Sequence, residues 1–202
     1  MATIEWGAGP PVLLLHGWNG FKEGWGPLPE AIAAAGMRAV AVDLPGTGGT
    51  PPLAAGGGRP EAMAAAVAGL ARRLAPVTLV GHSLGAQVAV SLAAHLREEV
   101  RAVALLAPLV LRRRRRLPPR GPGDLLLVPV VGPPLARLAI GRARRDEGRR
   151  RRAFLAAVAE PERLASAPGM PELLDEAVAR LAGADLGALV DWASAGLRRD
   201  LR

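Results

Sequence analysis

Cysteine and tyrosine are both missing from the 202 residues. Without cysteine there is no disulfide scaffold, no thiolate zinc site and no cysteine nucleophile. The three histidines are scattered, so no metal-ligand cluster forms by spacing, and neither a metal nor a cofactor is expected. Aromatic residues make up only 3% of the chain, so its core must be built from Leu, Val and Ala. Lysine occurs once, at Lys22, and the other 25 basic residues are arginine. No membrane span is expected. The start, MATIEWGAGPP, lacks the basic and long apolar segments of a secretory signal. These absences together imply a cytoplasmic location.

What is present is enough apolar material for a folded domain. Half of the residues are hydrophobic and 22% are charged, which suits one domain, or one domain with a small appendage. The net charge of +8 is unevenly placed. Residues 112–152 hold 14 arginines against Asp124, Asp146 and Glu147, a local charge of +11, while the remainder carries −3. Such a segment can attract nucleic acid, anionic lipid or acidic ligands. The plainer reading is a solvated helical face, and no aromatic residue lies within 112–152 to stack on bases. No nucleic-acid partner is therefore expected, and an anion-binding Arg112–Arg116 run stays a minor alternative.

Residues 11–110 alternate short apolar runs with helical patterns. Val12–Leu15 is stopped by Gly17, and Arg38–Val42 by Asp43-Leu44-Pro45-Gly46. Val77–Val80 is stopped by Gly81, and Val100–Leu106 by Ala107-Pro108. Runs this short and apolar on both faces read as buried strands of a parallel sheet. Helical segments are expected at about 27–36, 60–74 and 84–97, giving an α/β fold with a mostly parallel sheet and helices on both faces. The style changes near 117. Residues 117–134 are rich in Pro and Gly, and helical patterns follow at about 134–158, 161–166, 171–182 and 185–200, with no further strand. The expected organisation is a core over residues 1–116 and a helical cap over 117–202.

Gly81-His82-Ser83-Leu84-Gly85 matches G-x-S-x-G, between an apolar run and a helical pattern, the context this motif requires. A serine on so sharp a strand-to-helix turn projects its hydroxyl above the sheet. The glycines on either side remove β-carbons that would crowd the neighbouring chain. The first N–H groups of the following helix, including that of Leu84, face the position where negative charge develops on an attacked carbonyl. The alternative is a serine that merely caps a helix. Gly46-Thr47-Gly48-Gly49-Thr50-Pro51 also follows a strand, but Pro51 stands where a dinucleotide fingerprint has its third glycine.

Taken in order, His16-Gly17-Trp18, Asp43-Leu44-Pro45-Gly46-Thr47-Gly48, the Ser83 turn and Ala107-Pro108 resemble the α/β-hydrolase family over residues 11–108. The resemblance implies a serine hydrolase that acts on a carboxylic ester or similar small-molecule acyl substrate. Ser83 would be the nucleophile, and the backbone N–H groups of Trp18 and Leu84 the oxyanion hole. Asp43 would be a turn-former, and 117–202 the cap that this family commonly inserts. A serine in the elbow argues against dehalogenase and epoxide-hydrolase members, which use a carboxylate there. Leu125–Ile140, Phe154 and Trp192 would give the cap an apolar lining.

The sequence departs from the family at its end. The resemblance calls for two further strands, carrying an acid and then a histidine, and neither is present before Arg202. His16 belongs to the oxyanion-loop motif, and the His82 side chain diverges from Ser83. His95 lies about 18 Å along the next helix. All three read as structural. The expectation is a C-terminally truncated core, inactive or weakly active as it stands, with the acid and histidine lying beyond Arg202. The alternative is a non-catalytic binding module on the same fold. If Val100–Leu106 is a sheet edge, its unpaired backbone invites self-association.

Overall fold

The computed structural model describes residues 1–54, 57–108, 132–155, 162, 166 and 168–196. Four apolar runs form strands where the sequence places them: β2 (Pro11–Leu15), β3 (Arg38–Val42), β4 (Val77–His82) and β5 (Val100–Leu106). A further strand, β1 (Thr3–Trp6), precedes them. Its residues alternate exposed and half-buried, so it has no apolar run to announce it. The sheet order is β1-β3-β2-β4-β5. β2 pairs in parallel with β3 and β4, and β4 with β5, whereas β1 lies antiparallel on β3 with Thr3 opposite Val42.

The helices follow the expected alternation: α1 (Leu28–Ala34), α2 (Pro60–Arg73) and α3 (Leu84–Leu96). α2 starts on proline, whose missing N–H costs nothing at a first helical position. It carries Glu61 in its first turn and Arg72 and Arg73 in its last, each complementing the helix dipole. On one face of the sheet, Leu13, Leu15, Val40, Val42 and Leu79 pack against α2 and α3 through Met63, Val67, Leu84, Val88 and Leu92. On the other, Leu14, Ala39, Ala41 and Val80 are covered by Ile32 of α1 with Trp6 and Trp25. Each fully buried Leu or Val contributes roughly 1.5–3 kcal/mol, so the two layers hold the helices on both faces of the sheet. Among the described residues β5 is an edge, and Val103, Leu105 and Leu106 are 39–41% exposed.

Beyond β5 the described chain is helical: α4 (Gly132–Arg144), α5 (Glu147–Leu155), α6 (Met170–Gly183) and α7 (Leu186–Gly196). The single pattern expected over 134–158 is two helices. Arg145 and Asp146 break it, and the Asp146 carboxylate accepts the Arg149 N–H at 2.7 Å to cap the new helix. On α6, Leu174, Val178 and Leu181 form the buried stripe that the helical spacing announced. The expected boundary at 116/117 and most of the 161–166 helix lie outside the described residues. No described helix is long and apolar enough to cross a membrane.

Candidate active site

Ser83 sits between the end of β4 and the start of α3 with φ 51° and ψ −114°. A non-glycine residue held there stores about 1–3 kcal/mol of strain. Close packing enforces the bend. The Ser83 N–H donates to Leu106 O at 2.9 Å, tying the turn to β5. A β-carbon on Gly81 would stand 2.6 Å from Ala86 Cα, and one on Gly85 would stand 2.1 Å from Leu15 O and 2.3 Å from His16 O. The crowding argued from the sequence is thus backbone against backbone. Ser83 makes no side-chain cap bond to α3, which removes the capping alternative.

The serine borders a cavity of about 590 Å³. The loop after β2 supplies Gly17, Trp18, Asn19, Phe21 and Trp25 to its wall, and Ile140, Phe154 and Leu174 close it from the C-terminal helices. Trp18 reaches this wall from a loop and Leu84 opens α3, so both candidate donors flank the Ser83 turn. Outside the regular elements, neither N–H is taken by a backbone carbonyl among the described residues. The Trp18 indole donates to Leu189 O at 2.9 Å, so α7 holds the loop from above. A β-carbon at Gly17 would lie 3.1 Å from both His82 Nδ1 and Ser83 Cβ. The bare glycine is what lets the loop approach the serine.

The histidines are accounted for. His16 is 4% exposed. Leu44 N–H donates to its Nε2 at 3.1 Å, leaving Nδ1 to donate to Gly17 O at 2.8 Å. Its ring stacks on Trp192 with centroids 6.0 Å apart. Burial pushes its pKa down to about 4, against weaker opposing effects from Gly17 and Asp43. His95 is exposed on α3 and meets the Arg72 guanidinium at 3.2 Å. His82 is exposed beside the cavity, and partial burial lowers its pKa. Trp192 is therefore a core residue against His16 and not part of the Ser83 cavity, contrary to the sequence expectation, whereas Ile140 and Phe154 do line it.

Asp43 is fully buried and organises the loops around the site. Its carboxylate accepts the Lys22 N–H at 2.8 Å, the Gly49 N–H at 2.9 Å and the Lys22 ammonium at 3.0 Å. Burial alone raises its pKa, but these donors outweigh it and hold the carboxyl below the ordinary range. A β-carbon at Gly48 would sit on the carboxylate, 2.1 Å from Oδ2. The Gly46–Pro51 loop is thus a turn wrapped round an acid and not a phosphate cradle. Lys22 also pairs with Glu23 at 2.8 Å, and Arg180 of α6 reaches Glu23 at 3.3 Å while lying 4.3 Å over the Phe21 ring. Among the described residues no three His, Cys, Asp or Glu side chains gather to hold a metal.

Stability is expected to fall as the solution is acidified. Unfolded His16 takes up its proton near pH 6.5, and the folded residue only near pH 4. Between these values the unfolded state binds more protons, so the fold loses roughly 3 kcal/mol as pH drops through that window. Below about pH 4, protonation of Asp43 in the unfolded state adds to the loss. Urea unfolding at pH 7 and pH 4.5 measures this, and equal midpoints would contradict it.

The profile of the alpha/beta hydrolase family matches residues 12–201. A pimeloyl-[acyl-carrier protein] methyl ester esterase from Neisseria meningitidis is 38% identical over 97 residues, which is 48% of this chain and 35% of that protein. The chain thus spans about a third of that relative's length. Among solved structures, an esterase from Exiguobacterium antarcticum superposes with a TM-score of 0.68 at 21% identity, covering 98% of this chain and 70% of its own. A thermophilic esterase from Thermogutta terrifontis gives 0.68 at 24% identity, covering 98% and 67%. At these identities the two structures speak for the fold. Cavity residues such as Asn19, Trp25, Met170 and Leu173 went unnoticed in the sequence, because they come from separate segments with no shared spacing.

Proposed function

The chain belongs to the α/β-hydrolase family, and from that premise we propose that it is a serine hydrolase of carboxylic esters or similar acyl compounds. The observation that carries this is Ser83, bent into a left-handed turn at the wall of the apolar cavity. Its Oγ adds to the ester carbonyl carbon, and the N–H groups of Leu84 and Trp18 receive the negative charge on the carbonyl oxygen. The bond to the alcohol breaks, the alcohol leaves with a proton, and water later releases the acid from the acyl-enzyme. Helices α4 to α7 act as the cap, and their apolar inner side favours a hydrophobic acyl or alcohol group. The similar stretch of a methyl ester esterase supports an ester as substrate.

The hydroxyl needs a proton acceptor. None of the chain's three histidines is engaged with the serine among the described residues: His16 is spoken for at both ring nitrogens, His95 meets Arg72 instead, and His82, which lines the cavity beside Ser83, makes no hydrogen bond to it. As a 202-residue polypeptide the protein is expected to be inactive or weakly active. The same observation favours a second reading, a binding module that uses the cavity without turnover. The bared β5 edge would then serve self-association or a partner strand.

A fluorophosphonate probe separates these readings. The hydrolase reading expects slow phosphonylation, located by peptide mass spectrometry at Ser83 and lost in Ser83→Ala. An adduct that persists in the variant would place the nucleophile elsewhere, and a chain that binds esters but never reacts would favour the binding module.

A further inference from the structure

The helices that wall the Ser83 cavity also carry a dense cluster of positive charge. Across α4 and α5, residues 132–155 include eight arginines and two acids, a net charge of +6. Their inner side is apolar, with Ile140, Ala143 and Phe154 on the cavity. Several of the arginines have partners. Arg144 donates to Ala182 O, Arg150 to Arg144 O, and Arg151 to Asp175. Asp146 is occupied by Arg149. Arg137, Arg142, Arg145 and Arg152 are exposed, with no carboxylate in reach among the described residues.

We propose that this arginine face docks an acidic protein surface bearing the acyl substrate as a tethered chain, which enters the Ser83 cavity. The proposal rests on reading that cavity as the substrate site. Three points select this partner. The charge sits on the outer side of the helices that wall the cavity, so a polyanion held there delivers its cargo within reach of Ser83, and the field steers its approach. A membrane-binding helix needs an exposed apolar face beside its basic one. The apolar sides of α4 and α5 are spent on the cavity, with α4 packed on α7 and α5 on α6, and Leu138 is the one large apolar residue strongly exposed on these helices among the described residues. Single-stranded nucleic acid needs aromatic stacking platforms, and Phe154, the one aromatic residue on these helices, faces the cavity.

The test is fluorescence anisotropy with a labelled acyl carrier protein, unloaded or bearing a medium-length acyl chain, against the whole chain. Phosphatidylglycerol vesicles and a single-stranded oligonucleotide serve as competitors. The acylated carrier should bind more tightly than the unloaded one. Binding should weaken with salt, and the triple variant Arg142→Glu/Arg145→Glu/Arg152→Glu should raise Kd at least about tenfold. The same variant should bind a small neutral ester, read by tryptophan fluorescence, as the parent does, which shows the cavity intact. Unchanged carrier affinity in the variant, no gain on acylation, or preferential arginine-dependent binding of vesicles or oligonucleotide would each overturn the proposal. Binding needs no chemistry at Ser83, so a failure of phosphonylation would count against the nucleophile alone.

Discussion

Imidazole added to the 202-residue chain is expected to speed hydrolysis of p-nitrophenyl acetate, and Ser83→Ala to abolish the increment. The turn presents a hydroxyl at an apolar cavity, but none of the three histidines is hydrogen-bonded to it among the described residues. In a serine triad, loss of the base costs about 10⁶ in turnover and leaves some 10³–10⁴ over water from the oxyanion hole and binding. A positioned general base supplies about 10²–10⁴-fold. A diffusing imidazole enters the cavity without that positioning, so the gain should be roughly tenfold, since orientation is a large part of what a fixed base contributes. The measurement compares imidazole-dependent rates of parent and variant, which cancels hydrolysis by imidazole in solution. Equal rates would mean that Ser83 does not react.

Gly85→Ala should prevent cooperative folding, whereas Gly69→Ala should stabilise the protein. The same methyl group is added in both. At Gly85 it would meet Leu15 O and His16 O, backbone atoms of a central strand and of the loop after it. Neither can give way without lifting α3 off the sheet. Overpacking of side chains costs about 1–3 kcal/mol, and a clash between backbones exceeds that range. A loss above about 4 kcal/mol would take up most of the 5–15 kcal/mol by which a domain is stable. At Gly69, exposed on α2, the nearest atom to a β-carbon is Arg73 Nη1 at 3.9 Å. There the helix gains about 0.5–1 kcal/mol. Urea unfolding of both variants decides the matter, and a well-folded Gly85→Ala would mean that the turn is looser than its packing implies.

The core could be read from the sequence because its signals are local. Gly17, Pro45, Gly81 and Pro108 each interrupt an apolar run within two or three residues of where the corresponding strand ends. The Ser83 turn was legible for the same reason, since motif, strand and helix lie within one short stretch. β1 escaped because Thr3 and Glu5 alternate with Ile4 and Trp6, and an edge strand exposed on one side needs no apolar run. The break between α4 and α5 escaped because arginine and alanine are good helix formers on both sides of it. Trp192 was placed in the acyl pocket on chemistry alone. Its stacking on His16 joins residues 176 positions apart, and no spacing rule reaches so far.

The loop after β2 is held from outside the sheet. Leu189 receives the Trp18 indole N–H, and Arg180 spans Phe21 and Glu23. The C-terminal helices are therefore braces for the amide beside the serine as well as a roof over it. Exchanging them for those of another member of the family would also loosen the Trp18 loop beside Ser83. Chimaeras at this junction should carry 18, 21 and 23 together with 180 and 189 as a single inherited block.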